Sequence, residues 1–167
     1  MTECPNSGRL HALAIWLESR PKRKGRAHAA LTACPSDPHV FVAVARWFWE
    51  RAKPEEAKSW FERAVSATPV MGDPWVWYYK FACSEKKSGE TTPAADKIKE
   101  ETVSDDVSTK KAPGQTLEAD IEARCTAAKP RYGDIWAPVW KKDRLGPVTA
   151  VQVLKECADL IGDPFTV

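Results

Sequence analysis

The sequence predicts an all-α chain folded as an α-solenoid, a stack of about 3.5 to 4 antiparallel helical hairpins, and three observations predict it. Apolar residues recur at i, i+3, i+4 and i+7 in successive pairs of segments. The tripeptides Ala33-Cys34-Pro35 and Ala67-Thr68-Pro69 lie 34 residues apart, and Ala128-Lys129-Pro130 follows after 61, an excess of 27. That excess coincides with a change of composition. From Ser84 to Thr116 the chain is dominated by Lys, Glu, Asp, Ser, Thr, Ala and Pro and holds no aromatic residue. The domain plan is therefore repeats over 1–83, a disordered low-complexity insertion over 84–116, and a continuation of the array over 117–167. Such an insert adds little to the entropy of loop closure.

The first hairpin pairs a stripe of Leu10, Leu13, Ala14 and Leu17 with one of Ala27, Ala30, Leu31 and Cys34. In the second, Phe41, Val44, Ala45 and Phe48 are followed, after a Lys53-Pro54 turn, by Ala57, Trp60, Phe61, Ala64 and Val65. The third opens on Trp75, Tyr78, Tyr79 and Ala82 and closes beyond the insertion with Leu117, Ile121, Cys125 and Ala128, where Arg124 is the weak member. A fourth uses Ile135, Trp136, Val139 and Trp140, then Val151, Leu154, Ala158 and Ile161, with Pro138 disturbing its first helix. Asp37-Pro38 and Asp73-Pro74 each read as an N-cap acceptor before a first-turn proline, and Pro54-Glu55-Glu56 adds acids to another first turn. The proline of each Ala-x-Pro, lacking an N–H, stops the helix before it.

Small and large residues alternate for a packing reason. Ala45, Ala57 and Ala64 let two helices approach while the rings of Phe48 and Phe61 fill the space beside them. One hairpin cannot cover both of its faces, so neighbours stack. The spacing of Phe41, Val44, Ala45, Phe48, Ala57, Phe61, Ala64 and Pro69 resembles the tetratricopeptide (TPR) signature, and Trp75 and Trp136 stand at the heads of the next two units.

Longer segments carry a narrower resemblance: Ile15-Trp16-Leu17-Glu18-Ser19-Arg20-Pro21-Lys22-Arg23-Lys24, Asp37-Pro38-His39-Val40, Ala43-Val44-Ala45, Phe48-Trp49, Trp60-Phe61, Gly72-Asp73, Tyr79-Lys80-Phe81 and Pro130-Arg131-Tyr132-Gly133-Asp134-Ile135-Trp136. In order and spacing these resemble the C-terminal HAT/TPR repeats of the pre-mRNA processing factor 6 family. The chain departs from that family in the insertion after Cys83 and in Pro138. The resemblance implies a nuclear, non-enzymatic scaffold that helps assemble and hold the spliceosomal tri-snRNP. Its implied partners are other snRNP proteins, with small nuclear RNA as a further contact. The repeat class alone leaves two other readings open: a generic TPR adaptor for peptides, and a HAT module of another RNA-processing complex.

Composition sets the remaining expectations. A formal charge of +2 on 167 residues lacks the overall basic field of a dedicated nucleic-acid-binding domain, so any RNA contact is local. The basic residues do cluster once, as Arg20, Lys22, Arg23, Lys24 and Arg26, a candidate contact for RNA phosphate or an acidic partner. The competing reading is a solvated turn between helices. Five widely spaced cysteines fit neither a metal motif nor a disulfide framework, and Cys34, Cys125 and Cys157 read as small packing residues in a reducing compartment. No run of apolar residues is long enough to span a membrane. Neither a phosphate loop nor a His-Glu-x-x-His helix is present, and His11, His28 and His39 stand alone, so no catalytic residue, metal, cofactor or small-molecule substrate is expected. Eight tryptophans are the unusual element, and packing explains them better than base stacking, because no basic residues interleave with Trp47-Phe48-Trp49 or Trp75-Val76-Trp77.

Overall fold

The computed structural model describes residues 6–89, 116–142, 146–162 and 164–165. It is all-helical: Gly8–Leu17 (α1), Arg23–Ala33 (α2), Pro38–Glu50 (α3), Pro54–Ala67 (α4), Gly72–Gly89 (α5), Leu117–Ala128 (α6), Trp136–Trp140 (α7) and Ala150–Leu160 (α8). Each of α2, α4 and α6 ends on the alanine of its Ala-x-Pro, as a proline two residues on requires. The Asp37 carboxylate accepts the His39 N–H at 2.9 Å and Pro38 opens α3, the cap expected there. Helix α5 runs on to Gly89, six residues into the expected insertion, and residues 90–115 of that insertion lie outside the described part.

Helix α3 packs against both α1 and α2, and α5 packs against α3 and α4. Helix α8 lies against α5 and α6 in the same way, so it occupies the position of a first helix of the next hairpin. The fourth unit therefore differs from the expected pair: α7 has only five residues and bridges to α8. Pro138 is its third residue, inside the first turn, where an N–H has no helical partner. After α7 the chain passes Gly146 (φ 120°) and Pro147 before Thr149 and Gln152 form a capping box that starts α8.

The second hairpin is packed as read from the sequence. Ala45, Ala57 and Ala64 are wholly buried, and Phe61 lies 5.7 Å from the Tyr78 ring and 5.4 Å from Phe81 of α5. Tyr78 and Tyr79 donate their hydroxyls to Glu62 and Glu122, both at 3.1 Å, so neither phenol tip is left unpaired.

The first helix corrects the expected pattern. Leu10, Leu13 and Leu17 are exposed, and the face turned to α3 carries Gly8, His11, Ile15 and Trp16. Both faces of α1 are apolar, so periodicity alone does not choose between them. The choice is made at Gly8, where any Cβ would lie 2.0 Å from the Asp37 carboxyl carbon. Similarly, α8 buries Val153, Leu154, Cys157 and Ala158, while Val151 is half-buried.

Candidate functional site

The first helices of the three complete hairpins stand side by side and leave a cleft of about 250 Å³ between them. Arg9 and Leu13 of α1, His39 and Arg46 of α3, and Trp77 of α5 face it, and the strand of chain before α7 closes one end with Asp134. Arg9 reaches across to pair with Asp134 at 3.0 Å, an exposed ion pair of small energetic weight.

The end wall is built around Asp73, which does not act as the expected N-cap. Helix α5 already starts at Gly72, and the buried Asp73 carboxylate turns outward to accept the backbone N–H groups of Asp134, Ile135 and Trp136 at 2.7, 3.0 and 3.1 Å. It thus caps α7 from 61 residues away. Two glycines make room. A Cβ on Gly72 would fall 2.1 Å from the Trp136 ring, and one on Gly133 (φ 147°) would fall 2.3 Å from the Asp73 carboxylate. Hydrogen bonds from Arg131 N–H to the Val70 carbonyl and from Gly72 N–H to the Tyr132 carbonyl, 2.9 and 2.7 Å, lock the two segments together. Burial pushes the Asp73 carboxyl above its usual range, with the three amides pulling it back.

Along the cleft runs a row of alternating guanidinium and indole groups. Arg46 lies 4.2 Å from the centre of the Trp16 ring and 4.0 Å from that of Trp77, and Arg23 lies 4.7 Å from Trp16. Such contacts are worth about 0.5 to 2 kcal/mol each, according to how dry they are. Interleaving of bases and aromatics, judged absent from the linear sequence, is therefore present in space. The apolar periodicity of α3 does not single out Arg46; its signal in the sequence is that, apart from His39, it is the sole ionisable side chain between Pro38 and Trp49. Its guanidinium donates from Nε (3.0 Å) and Nη2 (2.5 Å) to the carbonyl of Pro164.

The basic cluster spans the turn between α1 and α2 and the first turn of α2, and is divided. Arg23 is nearly buried: it pairs with Glu50 at 2.7 Å and donates to the carbonyls of Glu18 and Trp16. Arg20 pairs with the same Glu50 at 3.2 Å from an exposed position. Lys22 and Lys24 are exposed and Arg26 is half-buried. Of the repeat signature, Phe41, Val44, Ala45, Ala57, Phe61, Ala64, Trp75 and Trp136 are buried and Phe48 is half-buried. Pro69 is exposed and offers its carbonyl to the Trp75 indole at 2.8 Å. Cys34, Cys125 and Cys157 are buried; burial, with Cys157 nearby, pushes the Cys125 thiol up to about 12. Among the described residues no His, Cys, Asp and Glu group is placed to hold a metal ion, and no helix is long and apolar enough to cross a membrane.

Stacked helical hairpins with an aromatic- and arginine-lined cleft define a helical-repeat protein of the kind that presents a surface to other macromolecules. No family model matches the chain. It is 36% identical to human pre-mRNA-processing factor 6 over 123 residues, which is 74% of this chain and 10% of that protein. It is 35% identical to Protein STABILIZED1 of Arabidopsis thaliana over 122 residues, 73% of this chain and 9% of the relative. Against pre-mRNA-splicing factor prp1 of Schizosaccharomyces pombe the identity is 45% over 61 residues, 36% of this chain and 7% of the other. The chain belongs to the pre-mRNA-processing factor 6 family, and it spans about a tenth of the length of these relatives.

Proposed function

We propose that the chain acts in pre-mRNA splicing, in the nucleus, as a non-catalytic protein-binding scaffold that helps assemble and hold the tri-snRNP. The observation that carries this is the 35 to 36% identity, over nearly three-quarters of the chain, to relatives that include one named for pre-mRNA processing. The all-helical stack supports it, because first helices set side by side offer a continuous cleft to a partner. In this reading the cleft around Arg46 takes snRNP proteins, and Lys22, Lys24 and Arg26 at the start of α2 add a local contact to RNA phosphate.

The test is a pull-down of the tagged chain from nuclear extract at moderate salt, reading both small nuclear RNAs and proteins. Recovery of the tri-snRNP RNAs with their proteins is the expected result. Recovery of chaperones alone would move the function to a generic peptide adaptor. Recovery of a different RNA-processing complex would move it there instead. Replacing Lys22, Lys24 and Arg26 by alanine should lower RNA recovery at low salt and leave protein recovery unchanged.

A further inference from the structure

We infer that the corner between Arg46 and Trp49, beside the cleft, is a docking site for a protein segment carrying a Pro-aromatic pair, and that this chain's own Pro164-Phe165 holds it as a displaceable ligand in cis. The inference rests on reading the face of the stack that carries the cleft as the surface that meets partners. After α8 ends at Leu160 the chain turns back, and Pro164 and Phe165 reach α3, 118 residues earlier in the sequence. Arg46 meets them with a guanidinium whose orientation is already set by the indoles of Trp16 and Trp77. Two of its donors, Nε and Nη2, go to one main-chain carbonyl. A carbonyl is common to every residue, so this half of the site reads main chain rather than a side chain.

Selectivity comes from the next residue. The Phe165 ring sits edge-on to Trp49, with centroids 5.2 Å apart, and Trp49 is itself backed by Phe81 at 5.5 Å. Phe165 also packs against the buried cluster that contains Ile15 and Trp16. An aromatic ring fits this corner, and a proline before it has its φ already fixed and no N–H of its own to satisfy. Pro164 and Phe165 are only half-buried. Nothing lies within 4 Å of a Cβ built on Gly162, so the segment between α8 and Pro164 is not pinned at that point. A partner segment with the same two residues has the same contacts available. RNA fits less well, because Arg46 already lies against the Trp16 and Trp77 rings on which bases would stack.

The experiment is fluorescence anisotropy on the full chain with a labelled peptide of residues 162–167, Gly-Asp-Pro-Phe-Thr-Val, and in parallel with labelled oligouridine. If the cis segment fills the site nine-tenths of the time, it weakens binding of the free peptide about ten-fold, so Phe165→Ala should bind that peptide about ten-fold tighter than the parent chain. Adding Arg46→Lys to Phe165→Ala, which keeps the charge and removes the planar fork, should reverse the gain. Equal binding by the parent and Phe165→Ala, or no binding by either, overturns the inference. So does oligouridine affinity that rises with Phe165→Ala. Phe165→Leu keeps an apolar side chain and should give the same ordering with a smaller difference if Phe165→Ala melts early by circular dichroism. A failed peptide series beside a successful nuclear-extract pull-down would remove the role of Pro164-Phe165 and keep the scaffold.

Discussion

In the second hairpin, α3 and α4 meet through Ala45, Ala57 and Ala64, and the ring of Phe61 fills the gap they leave. Between Lys129 and Thr149 the described residues hold one five-residue helix, a left-handed residue at Lys129 and two positive-φ glycines, and the first backbone amides of that helix are held by a carboxylate from the preceding unit. The first region is held by non-directional burial and the second by directed hydrogen bonds. Damage should therefore spread from the one and stay local in the other.

The largest effect expected is at Phe61. Truncating a wholly buried ring removes its transfer energy and leaves a cavity, and Phe61→Ala should cost about 3 to 5 kcal/mol. Because Tyr78 and Phe81 of α5 pack on that ring, chemical denaturation should show one transition moved to lower denaturant for the whole stack. A separate early transition confined to one helix would contradict shared packing. Next comes Glu50, the acid that pairs with both Arg23 and Arg20. Glu50→Ala leaves the nearly buried Arg23 without its counter-charge, and such a loss costs about 3 kcal/mol or more. Glu50→Ala combined with Arg23→Met should recover most of it, since the pair is then replaced by apolar packing.

Asp73→Ala orphans three amides, which costs about 2 kcal/mol or more. Hydrogen exchange should speed up at residues 134–136 and in α7 while α3 and α4 keep their protection. Loss of protection throughout would erase the contrast between the two regions. The same carboxyl gives a pH signature. Burial raises its pKa in the folded state, so folding holds the proton more tightly than the unfolded chain does. Its contribution is complete below the ordinary carboxylate range and is lost as pH rises through the raised value. The stability of the native chain relative to Asp73→Asn, which does not titrate, should fall from acid to neutral pH.

Most helices could be read from the sequence because their signals are local: Ala33, Ala67 and Ala128 end α2, α4 and α6, and Asp37-Pro38 starts α3. The site could not, because it depends on residues that meet only after folding. Gly72-Asp73 and Tyr132-Gly133-Asp134-Ile135-Trp136 are both visible as short motifs, yet nothing in either reports that one caps the other. Arg23 reads as a solvated charge until Glu50, 27 residues on, is brought beside it. On α1, leucines at 10, 13 and 17 make a better stripe than His11, Ile15 and Trp16, and only the close approach at Gly8 shows which face turns inward.

The smallest effect separates two accounts of why α7 is short. If Pro138 breaks the helix, Pro138→Ala should let α7 lengthen by a turn, with a visible gain in helical circular dichroism and new protection after Trp140. The geometry argues otherwise. Pro138 is exposed, and as the third residue of α7 it lacks only an N–H that would have had no helical acceptor. Its fixed φ suits a first turn, so the substitution trades a little unfolded-state entropy for a slightly better helix former. The expected change is within about 0.5 kcal/mol, with no gain of helix. Gly146, with its φ of 120°, is the more sensitive position, and Gly146→Ala should be the more costly change of the two because an L residue strains there.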